Sequence, residues 1–192
     1  MTASTPPVGV AVTATHVVTL VHFVTPINAV WIYEPLSSSD TVPLERLRNA
    51  ISRLLDYYPH LTGRMHIDPN TGVRTMTRIG SGIHLLEAKC DASLQSFARG
   101  SSKCDKQFSV FDLPNAGNAL LAPWDLSLGG RQQDPVFTIQ RTEFTCSSVA
   151  IGIGLSLVVV GAGGFLGLYQ DLTAIYRAMT IDPAIEELVE LA

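Results

Sequence analysis

The stretch "LSLVVVGAGGFLGLYQDL", residues 155–172, decides how the chain is read. Valines running into Gly-Ala-Gly-Gly and then an amphipathic segment give the order of a strand, a backbone-lined turn and a helix. The same letters lie within residues 146–169, which carry no charged side chain and are long enough to cross a hydrocarbon core of about 30 Å. Six glycines and Ser156 punctuate residues 152–167, and Val and Ile dominate the apolar first half. Strand then helix, rather than a membrane span, is therefore expected.

Two further readings attach to the same residues. Val158–Gly167, "VVVGAGGFLG", offers Gly161-x-Gly163 and Gly167 at a helix start, where backbone amides could hold a pyrophosphate of NAD(P). Its spacing is not the tight G-x-G-x-x-G. After the helix only "IDPAIEELVELA" remains, which leaves no second strand to present an acid to a ribose. Gly154-Leu155-Ser156-Leu157 begins like a nucleophile elbow, but Val158 stands where the second glycine belongs, so Ser156 is read as a small strand residue.

Outward from this stretch, "DPVFTIQRTEFTCSSVAIGIGLSLVVV" reads as two strands turning near Cys146-Ser147-Ser148. The helix beyond carries Phe165, Leu168, Leu172, Ile175, Tyr176 and Met179. Leu44, Leu47, Ile51, Leu54, Leu55 and Tyr58 recur at helical spacing between Pro43 and Pro59. Residues 16–33 are rich in Val, Thr and aromatics and predict two strands around a bend at Pro26-Ile27-Asn28. "GRMHID", "GVRTMTRI" and "GIHLLEAKCD" predict short strands, "DASLQSFARG" a short helix, and residues 100–135 a loop-rich connection with short ordered pieces. The sum is a mixed α/β domain without regular βαβ alternation, one domain over residues 1–192.

Composition narrows the function. A net charge of −4 gives no electrostatic footprint for nucleic acid or acidic membranes. With 46% hydrophobic and 16% charged residues, and a mean hydropathy of +0.25, either much is buried or a partner covers something apolar. Three cysteines, Cys90, Cys104 and Cys146, follow no disulfide or metal pattern. The first basic residue is Arg46, so no signal-peptide n-region is visible, and a cytosolic location is expected.

Two separated segments resemble the acyl-CoA-dependent transferase family called BAHD. The first is "LRNAISRLLDYYPHLTGRM"; the second runs from "LLAPWDL" through "DPVFTIQRTEFTCSSVAIGIGLSLVVVGAGGFLGLYQDLTAIYRAM". The resemblance spans roughly residues 16–180 in the family's order. It implies a fold like that of chloramphenicol acetyltransferase, with acyl transfer from acyl-CoA to a hydroxyl or amine of a small secondary metabolite. The family's His-x-x-x-Asp falls, without gaps, on Ser156-Leu157-Val158-Val159-Val160-Gly161-Ala162. Leu157 stands at the histidine, the family's general base, and Gly161 at the aspartate, which is mainly structural. Each exchange needs a single base change. Leucine accepts no proton, and losing a general base typically removes about 10²–10⁴ in rate. Ser147-Ser148 stands where the family usually has paired glycines. The resemblance stops short of the family's second half, with its Asp-Phe-Gly-Trp-Gly motif and its share of the acyl-CoA tunnel, and the expectation is an N-terminal-type half without it. The expectation is a catalytically impaired half, with no intact catalytic residue, no bound cofactor, acyl-CoA as co-substrate only if active, and an apolar face open to a protein partner. The alternative is a non-catalytic binding or interaction half-domain.

His16, His22, His60, His66 and His84 show no metal-ligand spacing and are expected as strand or surface residues. Cys146 is expected as a small core residue, and Trp31 and Trp124 as packing residues. Asp171, Arg177 and "EELVE" read as solvated helix faces.

Overall fold

In the computed structural model, which describes residues 26–35, 41–99, 107–125 and 127–181, the first element is strand β1, Pro26–Tyr33. Pro26-Ile27-Asn28, expected as a bend, instead opens this strand. Proline lacks an N–H for the ladder and is tolerated at a strand's first residue. The other strand expected there, with His16 and His22, lies outside the described residues, as does Cys104. Helix α1, Leu44–Tyr57, follows as its spacing predicts, burying Leu47, Ala50, Ile51 and Leu54. Pro59 ends it by starting a 3-10 turn, Pro59–Thr62.

The predicted short strands are β2 (Arg64–Ile67) and β3 (Arg74–Thr77), which form an antiparallel pair, and β4 (His84–Cys90). "DASLQSFARG" holds only a 3-10 turn, Leu94–Phe97, capped by the Ser93 side chain, and the short strand β5, Ala98–Arg99, where a helix was expected. A single turn buries only Leu94 and cannot propagate into a helix against the pairing of β5 with β6, Gln107–Phe108. The loop-rich connection also contains 3-10 turns at Val110–Asp112 and Pro114–Leu120 and helix α2, Leu128–Gln133. Strands β7 (Phe137–Phe144) and β8 (Val149–Ser156) flank the expected turn, and helix α3 spans Ala162–Ile181. No helix among the described residues is long and apolar enough to cross a membrane.

The main sheet has the order β1-β8-β7-β4, antiparallel except for the parallel β4–β7 pair. Successive residues of a strand face opposite sides. Phe137, Ile139, Ile151, Ile153 and Leu155 therefore share one face, which packs beneath α1 and α3 with Leu47, Leu54, Phe165, Leu168 and Leu172. Ala150, Gly152, Gly154 and Ser156 face the other way, toward the 110–125 segment, where Leu113 and Leu120 bury against Ala150 and Phe144. Trp31 holds α3 onto β1, stacking on Tyr169 at 3.7 Å and Phe165 at 6.0 Å, and the Tyr33 and Tyr169 hydroxyls lie 2.9 Å apart.

Arg64 locks the smaller hairpin to this body. Its buried guanidinium donates to the carbonyls of Gln133 (2.8 Å), Gly82 (2.8 Å), Gly63 (3.0 Å) and Thr62 (3.2 Å). One planar cation thus satisfies four backbone acceptors from three segments.

Candidate functional site

The turn after β8 is built from its apolar residues. Ser156 N–H donates to the Val136 carbonyl (2.9 Å), completing the pairing with β7, and Val159 N–H closes a turn on the Ser156 carbonyl (3.0 Å). β8 therefore ends at Ser156, two residues before the Val158–Val160 run that the sequence pattern joins to it. Val158 and Val159 are apolar because they anchor the turn against Met65 and Val136, and Val159 and Val160 also reach the core under α1 and α3. A buried turn leaves the same hydrophobic signature as a strand end.

Leu157, the first residue of that turn, is 39% exposed. Gly161 lies at its other end, and its carbonyl accepts the first intrahelical bond of α3, from Phe165 N–H at 3.0 Å. Gly161 is thus the N-cap residue. A Cβ added there meets nothing within 4 Å, so the position has room for a side chain it does not carry. The turn presents a hydrocarbon at one end, hydrogen at the other and exposed Ala162, Gly163 and Gly164 beyond. Neither side chain at these two positions can take up or release a proton.

The described histidines are distributed elsewhere. His60 sits half-buried in the 3-10 turn, edge-on to Tyr58 at 6.2 Å, and burial lowers its pKa. His66 on β2 and His84 on β4 are exposed. Among the described residues no group of His, Cys, Asp and Glu could hold a metal ion. The dinucleotide reading fails on topology, since β8 is antiparallel to both of its neighbours, β1 and β7. A Rossmann unit requires parallel strands on either side of the crossover.

Cys146 lies half-buried at the β7–β8 turn against the second apolar cluster. Burial pushes its thiol up, but hydrogen bonds from the Ser148 and Ser93 hydroxyls and from the Ser148 and Leu94 N–H groups outweigh that, bringing it down to about 7. Asp171, read as solvated, is exposed but accepts a hydrogen bond from the Tyr58 hydroxyl across α1 and α3, and Arg177 is exposed.

A polar cluster on the sheet face away from α1 and α3 escaped sequence reading. Around the point where a Gly154 Cβ would stand, Trp124 Nε1 lies at 2.6 Å, Thr138 Oγ1 at 2.8 Å and Asn28 Oδ1 at 3.1 Å. Trp124 Nε1 and Ser156 Oγ are buried with no hydrogen-bond partner among the described residues. Its one sequence signal is the alternation Gly152-x-Gly154, which strips side chains from a single face of a strand.

With this geometry in hand, comparison with known proteins gives a concordant result. The family model described as "Transferase family" matches residues 17–186. The chain is similar to the Acyltransferase GLAUCE of Arabidopsis thaliana, 28% identical over 131 residues, covering 68% of this chain and 27% of that protein. It is also similar to the Taxadien-5-alpha-ol O-acetyltransferase of Taxus chinensis, 28% identical over 172 residues, 85% of this chain and 36% of that one. Among solved structures, TRI101 of F. graminearum complexed with ethyl coenzyme A shares the fold at a TM-score of 0.59 and 11% identity, covering 80% of this chain and 36% of that one. Vinorine synthase does so at 0.50 and 21%, covering 69% and 30%. The chain spans about a third of the length of the relatives it matches.

Proposed function

The chain belongs to the transferase family whose model matches residues 17–186, and from that premise we propose that it is one N-terminal-type half of an acyl-CoA-dependent acyltransferase, silent as a catalyst by itself. The family reaction is transfer of an acyl group from acyl-CoA to a hydroxyl or amine of a small metabolite. The relatives' names, an acyltransferase and an O-acetyltransferase, and the coenzyme A bound to the structural neighbour support that reading. In this reaction the acceptor attacks the thioester carbonyl, a base takes the acceptor's proton, and the CoA thiolate leaves.

The observation that carries the proposal is Leu157, exposed in the turn after β8 at the position the family gives to its base. A hydrocarbon there leaves the attacking hydroxyl with its proton, and general-base catalysis of this step typically supplies about 10²–10⁴ in rate. A scaffold holding the turn in place while its two functional side chains are missing is the mark of a pseudoenzyme half. Assayed as CoA thiol release from acetyl-CoA or benzoyl-CoA with alcohol and amine acceptors, the purified chain should match buffer. Acceptor-dependent release, unchanged by alanine at His16, His22, His60, His66 and His84, would contradict the general-base argument.

A second reading, that the half serves as an interaction or binding domain, is favoured by exposed Leu157 and by Leu166, which is 57% exposed on the first turns of α3. Exposed apolar side chains at the motif position and on the helix that follows it suit a protein surface laid over the turn.

A further inference from the structure

We infer that the cavity between α1, α3, the end of β1 and the start of β8 is a binding site for a small aromatic monocarboxylate. It holds about 270 Å³, just under the range that takes drug-sized molecules, and so suits a single ring with one polar group. The cavity is remote from the turn after β8. Ile151 lies in its wall and pairs with Trp31 on β1, while the turn begins beyond Ser156. Five steps along β8 separate Ile151 from Ser156, roughly 17 Å of strand at about 3.4 Å per residue.

The walls grade from hydrocarbon to charge. Leu47 of α1, Ile151 of β8 and Leu172 of α3 are buried and form an apolar floor. α3 turns one stripe toward the space, since Tyr169, Thr173, Tyr176 and Arg177 recur at three- and four-residue spacing. Arg177 ends that stripe at the exposed rim, and no carboxylate pairs with it among the described residues. Val42 closes the remaining side. It is β-branched and held at φ 59°, in the left-handed region, and the buried Arg141 fixes its carbonyl through Nε at 2.8 Å. Such strain persists where the surroundings over-determine the backbone, and it clusters at binding sites. The Arg141 charge is itself met by Glu143 at 3.2 Å and Glu87 at 3.6 Å, so those two carboxylates are already neutralised.

The polar groups set the charge of the guest. The Tyr33 and Tyr169 hydroxyls lie 2.9 Å apart, and whichever of them donates, the other keeps a proton with no acceptor among the described residues. Burial, and then the bond to Tyr169, hold the Tyr33 hydroxyl above the usual tyrosine range, with the Arg177 charge pulling the other way. The pair is therefore a neutral donor within reach of the Arg177 field. A carboxylate answers both, one oxygen accepting from the tyrosine pair and the other facing the guanidinium. Thr173 adds no donor, because its hydroxyl already donates to the Gln170 carbonyl at 2.8 Å. A cationic guest would meet Arg177 at the rim and Arg46, whose guanidinium lies 5.9 Å from the Tyr176 ring centroid. The inference is independent of the transferase chemistry proposed above, and its test uses no acyl donor.

Benzoate, benzyl alcohol and acetate are titrated into the full chain carrying ¹³C-labelled isoleucine δ1 methyls. Ile151→Val identifies the resonance in the cavity, and Ile32→Val a control in the separate groove beside β1. Benzoate should shift the Ile151 methyl saturably through its ring current and leave that of Ile32 in place. Benzyl alcohol has the ring without the charge and acetate the charge without the ring, and each should bind at least about tenfold more weakly. Arg177→Gln should weaken benzoate about tenfold and leave benzyl alcohol unchanged, and the double exchange Tyr33→Phe, Tyr169→Phe should weaken benzoate about fivefold. No saturable shift of the Ile151 methyl, equal affinity for benzoate and benzyl alcohol, or full benzoate affinity in both variants would overturn the assignment.

Discussion

At the scale of single residues, the turn after β8 separates geometry from chemistry. Gly161 caps α3 through its carbonyl and has open space where a side chain would go. An aspartate there could accept a helix N–H and place negative charge at the positive end of the helix dipole. Gly161→Asp is therefore expected to raise stability by a few tenths to about 1 kcal/mol, read as a shift of the urea midpoint at constant slope. A loss of more than about 1 kcal/mol would mean that the turn has rebuilt itself around glycine. A Cβ at Gly161 meets nothing within 4 Å, so packing leaves room for an aspartate at this position. Neither Leu157 nor Gly161 is conspicuous in the sequence. Both become so only when the resemblance on either side supplies the residues that ought to be there.

Elements were legible to the extent that one face of each is buried. α1 and α3 follow from the apolar spacing of Leu47, Ile51 and Leu54 and of Phe165, Leu168 and Leu172, which the core then buries. The end of β8 was misplaced because Val158–Val160 are apolar for the sake of a turn. The cluster of Asn28, Thr138 and Trp124 was illegible because it depends on register. Asn28 and Thr138 both pair with Gly154, from strands more than a hundred residues apart in sequence, and no local pattern records that pairing. The glycines of β8 carry the element-scale consequence. A Cβ at Gly152 would stand 1.9 Å from the Leu120 carbonyl, a backbone atom that cannot rotate away. Gly152→Ala is expected to cost about 1–3 kcal/mol or more by denaturant unfolding. A change within about 0.5 kcal/mol would show that the 110–125 segment does not press on β8 as described.

At the scale of the whole molecule, the chain spans about a third of each matched relative, yet its described residues form a four-stranded sheet with two helices packed on one face. The described residues therefore give a fold of this transferase family a core of its own, which is why the fold class followed from sequence while the reaction did not. A core needs only apolar periodicity, whereas the reaction needs particular atoms at particular ends of strands. We propose that β7 through α3 is a sound acyltransferase scaffold lacking the reacting side chains at Leu157 and Gly161. It is tested most directly by grafting residues 137–181 into an active full-length member of the family and measuring kcat for acyl transfer, with and without Leu157→His and Gly161→Asp. The plain graft is expected to lose about 10²–10⁴ in kcat, and the doubly exchanged graft to recover most of it. A folded plain graft as active as its parent, or a folded double exchange that recovers nothing, would contradict the claim.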